Sequence, residues 1–577
     1  MFITTKRKVA VYFIFTALLF GLVSIDVTVY GAWAEPVRGK HAMVASQHEL
    51  ASKIGIDIIK RGGNAVDAAI AVGLALAVVY PEAGNLGGGG FMLIRMKDGK
   101  SYAIDYREMA PAAANRDVFV DKDGNLIKGE GSSTIGYRAA GVPGTPAGFD
   151  LAFKKYGSGK IAWRDLVEPA RRLAQNGYVL SKRLADLLVS HSEELSQYDD
   201  SNRIFLNNGN YYKEGDLFKQ PDLAQTLTRM QTLGAKEFYT GKTAQLIAAD
   251  MKTHNGLITI EDLKNYVAKE RIPLRGTYRG YEVITMPPPS SGGIVMLEVL
   301  NMLEGYDVRS MGYNSAAKYH VLAESMRRAF ADRAEFMADP DFATVPVAAL
   351  LDKKYAEKRR SSIDLKKAST SKDIGHGTIT GAESMDTTHY TVADAQGNVV
   401  TNTYTINDLY GCAVTAKGTG VLLNDEMDDF AARPGKANMF GLIQGERNAV
   451  HPGKRPLSSM TPTIVLRKDG SVWFALGARG GPRIISAVMQ SVINVIDHDM
   501  NIQAALDAPR IHHQWYPDEL LYENMGLSPD TKLILERYGH KFAKPGSVAS
   551  ATGIMIDEKG VRLGAIDSRS DGAAIGY

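Results

Sequence analysis

The sequence predicts a mixed α+β protein with a large core, on three observations. Ala65 to Val79 is apolar on every side, as a fully buried helix is. Residues 150–350 carry mostly helical apolar spacing, clearest from Tyr319 to Met337. Thr387 to Val392 and Val399 to Ile406 alternate with period two around Asp394-Ala395-Gln396-Gly397-Asn398, which reads as a β-hairpin. The chain has 577 residues, 45% of them hydrophobic, enough for two to four domains' worth of core.

Taken in order, the chain opens on a targeting segment. Lys6, Arg7 and Lys8 precede an apolar run from Val9 to about Val23, and Gly31-Ala32-Trp33-Ala34 has small residues at the A-x-A positions. Cleavage is expected after Ala34, giving a periplasmic or secreted protein with no stable membrane insertion afterwards. The competing reading of this run is an uncleaved anchor. The apolar helix at 65–79 is too short to span a bilayer. Residues 35–60 read as a short strand and an amphipathic helix that stops at Gly62-Gly63, and Asn64 caps the next helix, which ends before Pro81.

Gly84-Asn85-Leu86-Gly87-Gly88-Gly89-Gly90 invites a phosphate-loop reading, but no Lys-Ser/Thr follows and Phe91 to Met96 looks like a strand. Tightly packed backbone entering a strand is the better account. Pro287-Pro288-Pro289-Ser290-Ser291-Gly292-Gly293 must be loop. Residues 360–386 turn polar, with Lys366, Lys367, Ser369, Thr370, Ser371 and Lys372, and read as a mobile stretch. No repeat of 20–50 residues is visible.

Composition removes several classes. The 67 basic and 64 acidic residues nearly balance, and the mature part has no Lys/Arg block, so a nucleic-acid partner is not expected. A single cysteine, Cys412, excludes an intramolecular disulfide and a thiolate zinc site, and its neighbours supply no base to make it a nucleophile. His512-His513 would point to opposite faces of a strand and has no third ligand nearby, so no metal is expected.

The hairpin carries a chemical hint. With a loop of four or five residues, Thr387 falls opposite Tyr404 or Thr405, and Thr401, Thr403 and Thr405 share one face. A hydroxyl at 405 can then approach the hydroxyl at 387. On the pattern alone, a threonine-rich strand of ordinary β-propensity is the better account.

Longer motifs lift this ambiguity. Gly63-Asn64-Ala65-Val66-Asp67-Ala68-Ala69, Pro81 to Phe91, Tyr106-Arg107-Glu108-Met109-Ala110-Pro111, Gly141-Val142-Pro143-Gly144-Thr145, Asp386-Thr387-Thr388-His389-Tyr390, Leu423 to Phe430 and Lys454-Arg455-Pro456-Leu457-Ser458-Ser459-Met460 appear in that order. From about His41 to Tyr577 the chain resembles the γ-glutamyltransferase (γ-glutamyltranspeptidase, glutathione hydrolase) family. The resemblance implies a four-layer αββα sandwich of the N-terminal-nucleophile hydrolase type. It also implies a precursor that cuts itself between Asp386 and Thr387, giving a large subunit 35–386 and a small subunit 387–577 that stay together as a heterodimer.

Further expectations come from that resemblance. Thr387 is the nucleophile of self-cleavage and of attack on γ-glutamyl amides such as glutathione. Its α-amine, with a pKa of about 8, becomes the base once the cut frees it. Thr405 orients or relays. Gly480 and Gly481 donate to the oxyanion. Arg107 grips the substrate α-carboxylate with Ser458 and Ser459, and Asp429 takes the α-ammonium beside Asn407 and Glu426. Water, an amino acid or a dipeptide accepts the γ-glutamyl group, and no cofactor is involved. Some relatives have Gln at the position of Glu426. Arg479 and Pro482 depart from the Pro and Ser common around the glycine pair. Residues Pro434 to Gln444 match a lid in which Phe440 stands where a tyrosine is common. The rival readings are a sister acylase acting on β-lactam side chains or poly-γ-glutamate, and a γ-glutamyl-binding protein that has lost catalysis. The zwitterion residues oppose the β-lactam version and the intact Thr387, Thr405 and glycine pair oppose the binding protein.

Overall fold

The computed structural model of the protein describes residues 34–375, 387–433 and 445–577. The expected signal segment up to Trp33, Asp386 and Phe440 lie outside the described residues. Pro36–Tyr577 forms one compact unit.

Two seven-stranded antiparallel sheets lie at its centre. The first runs Ala573–Gly576, Met43–Ser46, Thr388–Ala393, Val399–Thr405, Gly89–Arg95, Ser101–Tyr106, Lys269–Arg271. The second runs Val37–Gly39, Arg562–Ile566, Ser550–Ile556, Val472–Arg479, Thr463–Leu466, Tyr281–Thr285, Leu274–Tyr278. Thr388–Ala393 and Val399–Thr405 face Val472–Arg479 across the gap between the sheets. Helices Glu49–Lys60 and Ala65–Val79 cover the first sheet, and Gly292–Leu303 and Arg483–His498 cover the second. This is the expected α+β sandwich of four layers, αββα.

The helix at 65–79 is buried along its whole length. Asn64 caps it, accepting from the Val66 and Asp67 N–H groups at 2.9 and 3.0 Å, while Asp67 accepts from the Asn64 N–H at 3.0 Å. The Ala65 N–H donates to Asp394 at 2.9 Å, which ties the start of this helix to the hairpin turn. Asp394 also shapes that turn, accepting from the N–H groups of Gln396 and Asn398 at 2.9 and 3.0 Å. The glycine run is close-packed backbone, as expected. A Cβ on Gly88 would lie 2.0 Å from the Thr405 carbonyl oxygen, and one on Gly90 2.4 Å from Tyr404 Cβ.

Two segments differ from the sequence reading. The helical region 150–350 also contains a hairpin, Leu274–Tyr278 with Tyr281–Thr285. Its turn puts Arg279 and Gly280 at φ 51° and 83°. Arginine is an uncommon first residue for such a turn, which hid the hairpin. The polar stretch after 360 is anchored as far as it is described. Ser371 donates its N–H to Asp518 at 2.8 Å, and Trp515 Nε1 donates to the Ser371 and Ile374 carbonyls at 2.9 and 2.7 Å. Polar composition here serves specific bonds to a distant loop, which local composition cannot display. No helix among the described residues is long and apolar enough to cross a membrane.

The gap between the sheets is polar near the hairpin. His389 Nδ1 meets Thr403 Oγ1 at 2.8 Å, and Nε2 meets Thr401 and Thr391 at 3.0 and 3.1 Å. Burial lowers the His389 pKa to about 3, so the ring is neutral. Gly477 on the opposing sheet leaves room for it: a Cβ there would sit 2.4 Å from the ring. Gly477→Ala is expected to cost about 1–3 kcal/mol, because the hydrogen-bonded ring has nowhere to move. A melting temperature within a degree of the parent would show that the layer yields.

Candidate active site

Thr387 stands just before the strand Thr388–Ala393 and is 4% exposed. Thr388 pairs with Tyr404, so one step further along the antiparallel ladder sets Thr387 opposite Thr405. Of the two registers the sequence allowed, this is the one adopted. Thr405 Oγ1 accepts from the Asn407 N–H at 2.8 Å, and Asn407 turns the chain away at φ 77°.

Thr387 and Thr405 line a cavity with Arg107, Asn407, Glu426, Asp429, Ser458, Ser459, Met460, Gly481 and Ile484. Its volume is about 20 Å³, the scale of one water molecule and less than a γ-glutamyl group needs. All the expected site residues within the described chain border it except Gly480, which is next to it in sequence. Asp386 and Phe440 lie outside the described residues.

Arg107 follows the strand Ser101–Tyr106 and is fully buried. Tyr266 donates to its carbonyl at 2.8 Å, and its own N–H donates to Asp105 at 3.0 Å. Arg455 ion-pairs with the same Asp105. This lacing binds the 105–107 motif to the 454–459 motif, 350 residues further along the chain. The Arg107 guanidinium donates to the Pro456 and Leu457 carbonyls at 3.2 and 3.1 Å and to Glu426, and it ion-pairs with Asp429. Glu108 approaches it at 3.4 Å. The residues expected to divide a zwitterion between them are thus paired with each other, and a carboxylate and an ammonium from a ligand would each have to replace half of that pair.

Three carboxylates around one guanidinium in a dry site cannot all ionise cheaply. Burial, offset by Arg107, pushes Glu108 up to about 7. Burial raises Glu426 well above the usual carboxylate range, with Arg107 opposing and Glu108 and Asp429 adding to the rise. Glu426 Oε2 has no hydrogen-bond partner, which favours its protonated form. Asp425 is likewise raised by burial.

Gly480 and Gly481 have φ of 129° and 57°, both in the left-handed region. They join the strand Val472–Arg479 to the helix Arg483–His498, whose start borders the Thr387 cavity through Gly481 and Ile484. Pro482 takes the cap position and brings no N–H. The Arg479 guanidinium lies over the Tyr80 ring at 5.7 Å.

The sequence reading missed Glu108, Met460 and Ile484. Glu108 was findable, as an acid next to Arg107 in the same motif. Ile484 has no signal, since one more apolar residue at a helix start looks like core. Cys412 is buried, and burial raises its thiol pKa, as expected of a packing residue. His512 meets Ser486 at 2.7 Å and Gln514 at 2.7 Å, while His513 accepts from the Trp515 N–H at 3.1 Å. Among the described residues no group of three or more His, Cys, Asp or Glu could hold a metal ion.

Glu426 holds its proton more tightly in the folded state than in the unfolded one. Ionisation therefore penalises folding once pH passes the ordinary glutamate range near about 4.3. Glu426→Gln is expected to melt higher than the parent, by a margin that grows from about pH 5 to pH 8 and vanishes below about pH 4. A variant less stable than the parent at pH 8 would mean that Glu426 is ionised against Arg107.

The family whose sequence model is described as Gamma-glutamyltranspeptidase matches residues 51–577. The Escherichia coli K12 protein named glutathione hydrolase proenzyme is 49% identical over 544 residues, covering 94% of this chain and 93% of that one. The crystal structure of a cephalosporin acylase from Bacillus halodurans aligns with a TM-score of 0.81 at 27% identity, covering 96% of this chain and 99% of that one. The Helicobacter pylori γ-glutamyltranspeptidase structure aligns at 0.56 with 47% identity, over 57% of this chain and 93% of that one. With the family's sequence pattern spanning most of its length, and the fold and clustered residues described above, this chain belongs to the γ-glutamyltranspeptidase family.

Proposed function

We propose that the chain is the proenzyme of a self-processing γ-glutamyltransferase and glutathione hydrolase, exported and then cut before Thr387 into a large subunit 35–386 and a small subunit 387–577. One observation carries the reading: a buried threonine at the head of a central strand shares a single cavity with an arginine, an aspartate and two serines drawn from distant parts of the chain.

In the precursor, the Thr387 hydroxyl attacks the carbonyl carbon of residue 386. The acyl group moves from nitrogen to oxygen, freeing the α-amine and leaving an ester. Water opens the ester, giving a carboxylate at 386 and the free Thr387 hydroxyl. That amine then serves as base. It takes the hydroxyl proton as Oγ attacks the γ-glutamyl amide, and the proton passes to the departing amine. The Gly480 and Gly481 N–H groups stabilise the tetrahedral oxyanion, and Thr405 orients the nucleophile. Arg107, Ser458 and Ser459 take the α-carboxylate, while Asp429, Asn407 and Glu426 take the α-ammonium. Glutathione fits as donor. Water, an amino acid or a dipeptide then receives the γ-glutamyl group from Thr387.

Two measurements test this. The parent protein is expected as two bands on a denaturing gel, the smaller beginning Thr-Thr-His-Tyr, and Thr387→Ala as one band without turnover. Processing in Thr387→Ala would assign the cut to another protease. Release from a chromogenic γ-glutamyl anilide, with and without a dipeptide acceptor, reports the second reaction. Faster release from an acyl anilide without the amino-acid end would favour an acylase.

Arg107→Lys keeps the charge and loses the planar fork that reaches five partners. It is expected to raise KM for the γ-glutamyl anilide by at least about tenfold while self-cleavage proceeds. Unchanged kinetics would remove Arg107 from substrate binding.

A further inference from the structure

Ser458 and Ser459 lie on a segment whose strand pairing is limited to one isolated bridge, Ser290 to Ser458, so their hydroxyls need an outside frame. Behind them is Arg333, from the helix Ala316–Phe336, 1% exposed. Its Nε donates to Ser291 Oγ at 2.8 Å and its Nη2 donates to Ser459 Oγ at 3.2 Å. Ser291 passes the contact on, its hydroxyl and its N–H each donating to the Ser458 carbonyl at 2.7 Å. One guanidinium therefore holds both residues, Ser459 directly and Ser458 through Ser291.

A hydroxyl has one proton and two lone pairs. A cation that donates to Ser459 Oγ occupies a lone pair and makes the hydroxyl a stronger donor to an anion. Ser458 is treated alike on its other side, where the Met460 N–H donates to its Oγ at 3.2 Å. Arg333 reaches the wall of the cavity.

We propose that Arg333 is a positioning residue for the α-carboxylate of the γ-glutamyl donor: it fixes Ser458 and Ser459, polarises the Ser459 hydroxyl toward that carboxylate, and places a second positive charge one hydroxyl behind the cavity wall. The proposal rests on the assignment of the two serines to the α-carboxylate made above.

The test compares processed enzymes on two anilides. One is γ-glutamyl 4-nitroanilide. The other is 4-aminobutanoyl 4-nitroanilide, which keeps the amine and the scissile amide but lacks the α-carboxylate. Arg333→Met is expected to raise KM for the first about tenfold, with kcat changed less than about threefold, and to leave kcat/KM for the second unchanged. Arg333→Lys keeps the charge but cannot bridge Ser291 and Ser459, and should give a smaller loss of the same kind. Ser291→Ala leaves the guanidinium in place and should also lose only on the first anilide, so it carries the test if the Arg333 variants fail to process. Equal losses on both anilides, or none, would overturn the proposal. Ser459→Ala separates the two layers of the argument. If it discriminates between the anilides and the Arg333 and Ser291 variants do not, only the role of Arg333 falls. If Ser459→Ala does not discriminate either, the α-carboxylate assignment falls with it.

Discussion

The pairing of Thr388 with Tyr404 is the constraint on which the site depends. Side chains alternate along a strand, so a slip of one residue would turn Thr387 to the other face of the sheet. Several contacts hold the register at once. Asp394 closes the turn and meets the start of the helix Ala65–Val79, His389 is hydrogen-bonded to three threonines, and the glycine run presses against Thr405. The hydroxyl pair is thus fixed by the core itself.

The electrostatics follow from where that hairpin sits. Near the sandwich interior little water is available to solvate charge, so Arg107 gathers Glu426, Asp429, Glu108 and two carbonyls. Leaving any of these groups unpaired would be costly, and a ligand with both a carboxylate and an ammonium replaces like with like. A ligand with only one of the charges would strand a buried partner, so selection for an amino-acid end would follow from desolvation as much as from shape.

Much of this was legible in the sequence because it is local. The helix at 65–79, its Asn64 cap and the 387–406 hairpin were visible through periodicity and turn residues, with ends within a residue or two of those observed. The site was legible only through the ordered motifs, since no spacing rule brings Arg107 to Ser458. What stayed hidden is cooperative. Arg333 reads as one more helix cation, Ile484 as core, and Ser371 as part of a polar stretch, because each acts through a partner far away in sequence. The Arg107–Asp429 pair was hidden for a related reason: motifs name residues by what they hold and not by how they are satisfied among themselves.

A cut before Thr387 would divide both sheets between two chains. In the first sheet, Met43–Ser46 lies between Ala573–Gly576 and Thr388–Ala393; in the second, Val37–Gly39 and the 274–285 hairpin flank four strands from beyond residue 387. Ser371, upstream of the cut, is bonded to Trp515 and Asp518 downstream of it. Neither fragment contains a complete sheet, so separated halves would expose raw strand edges and have to find each other before either could fold. The intact chain carries the assembly instructions and the divided one does not. The persistence of the mature protein would then be governed by how slowly it opens and not by its ability to return, and a single thermal excursion would end its working life.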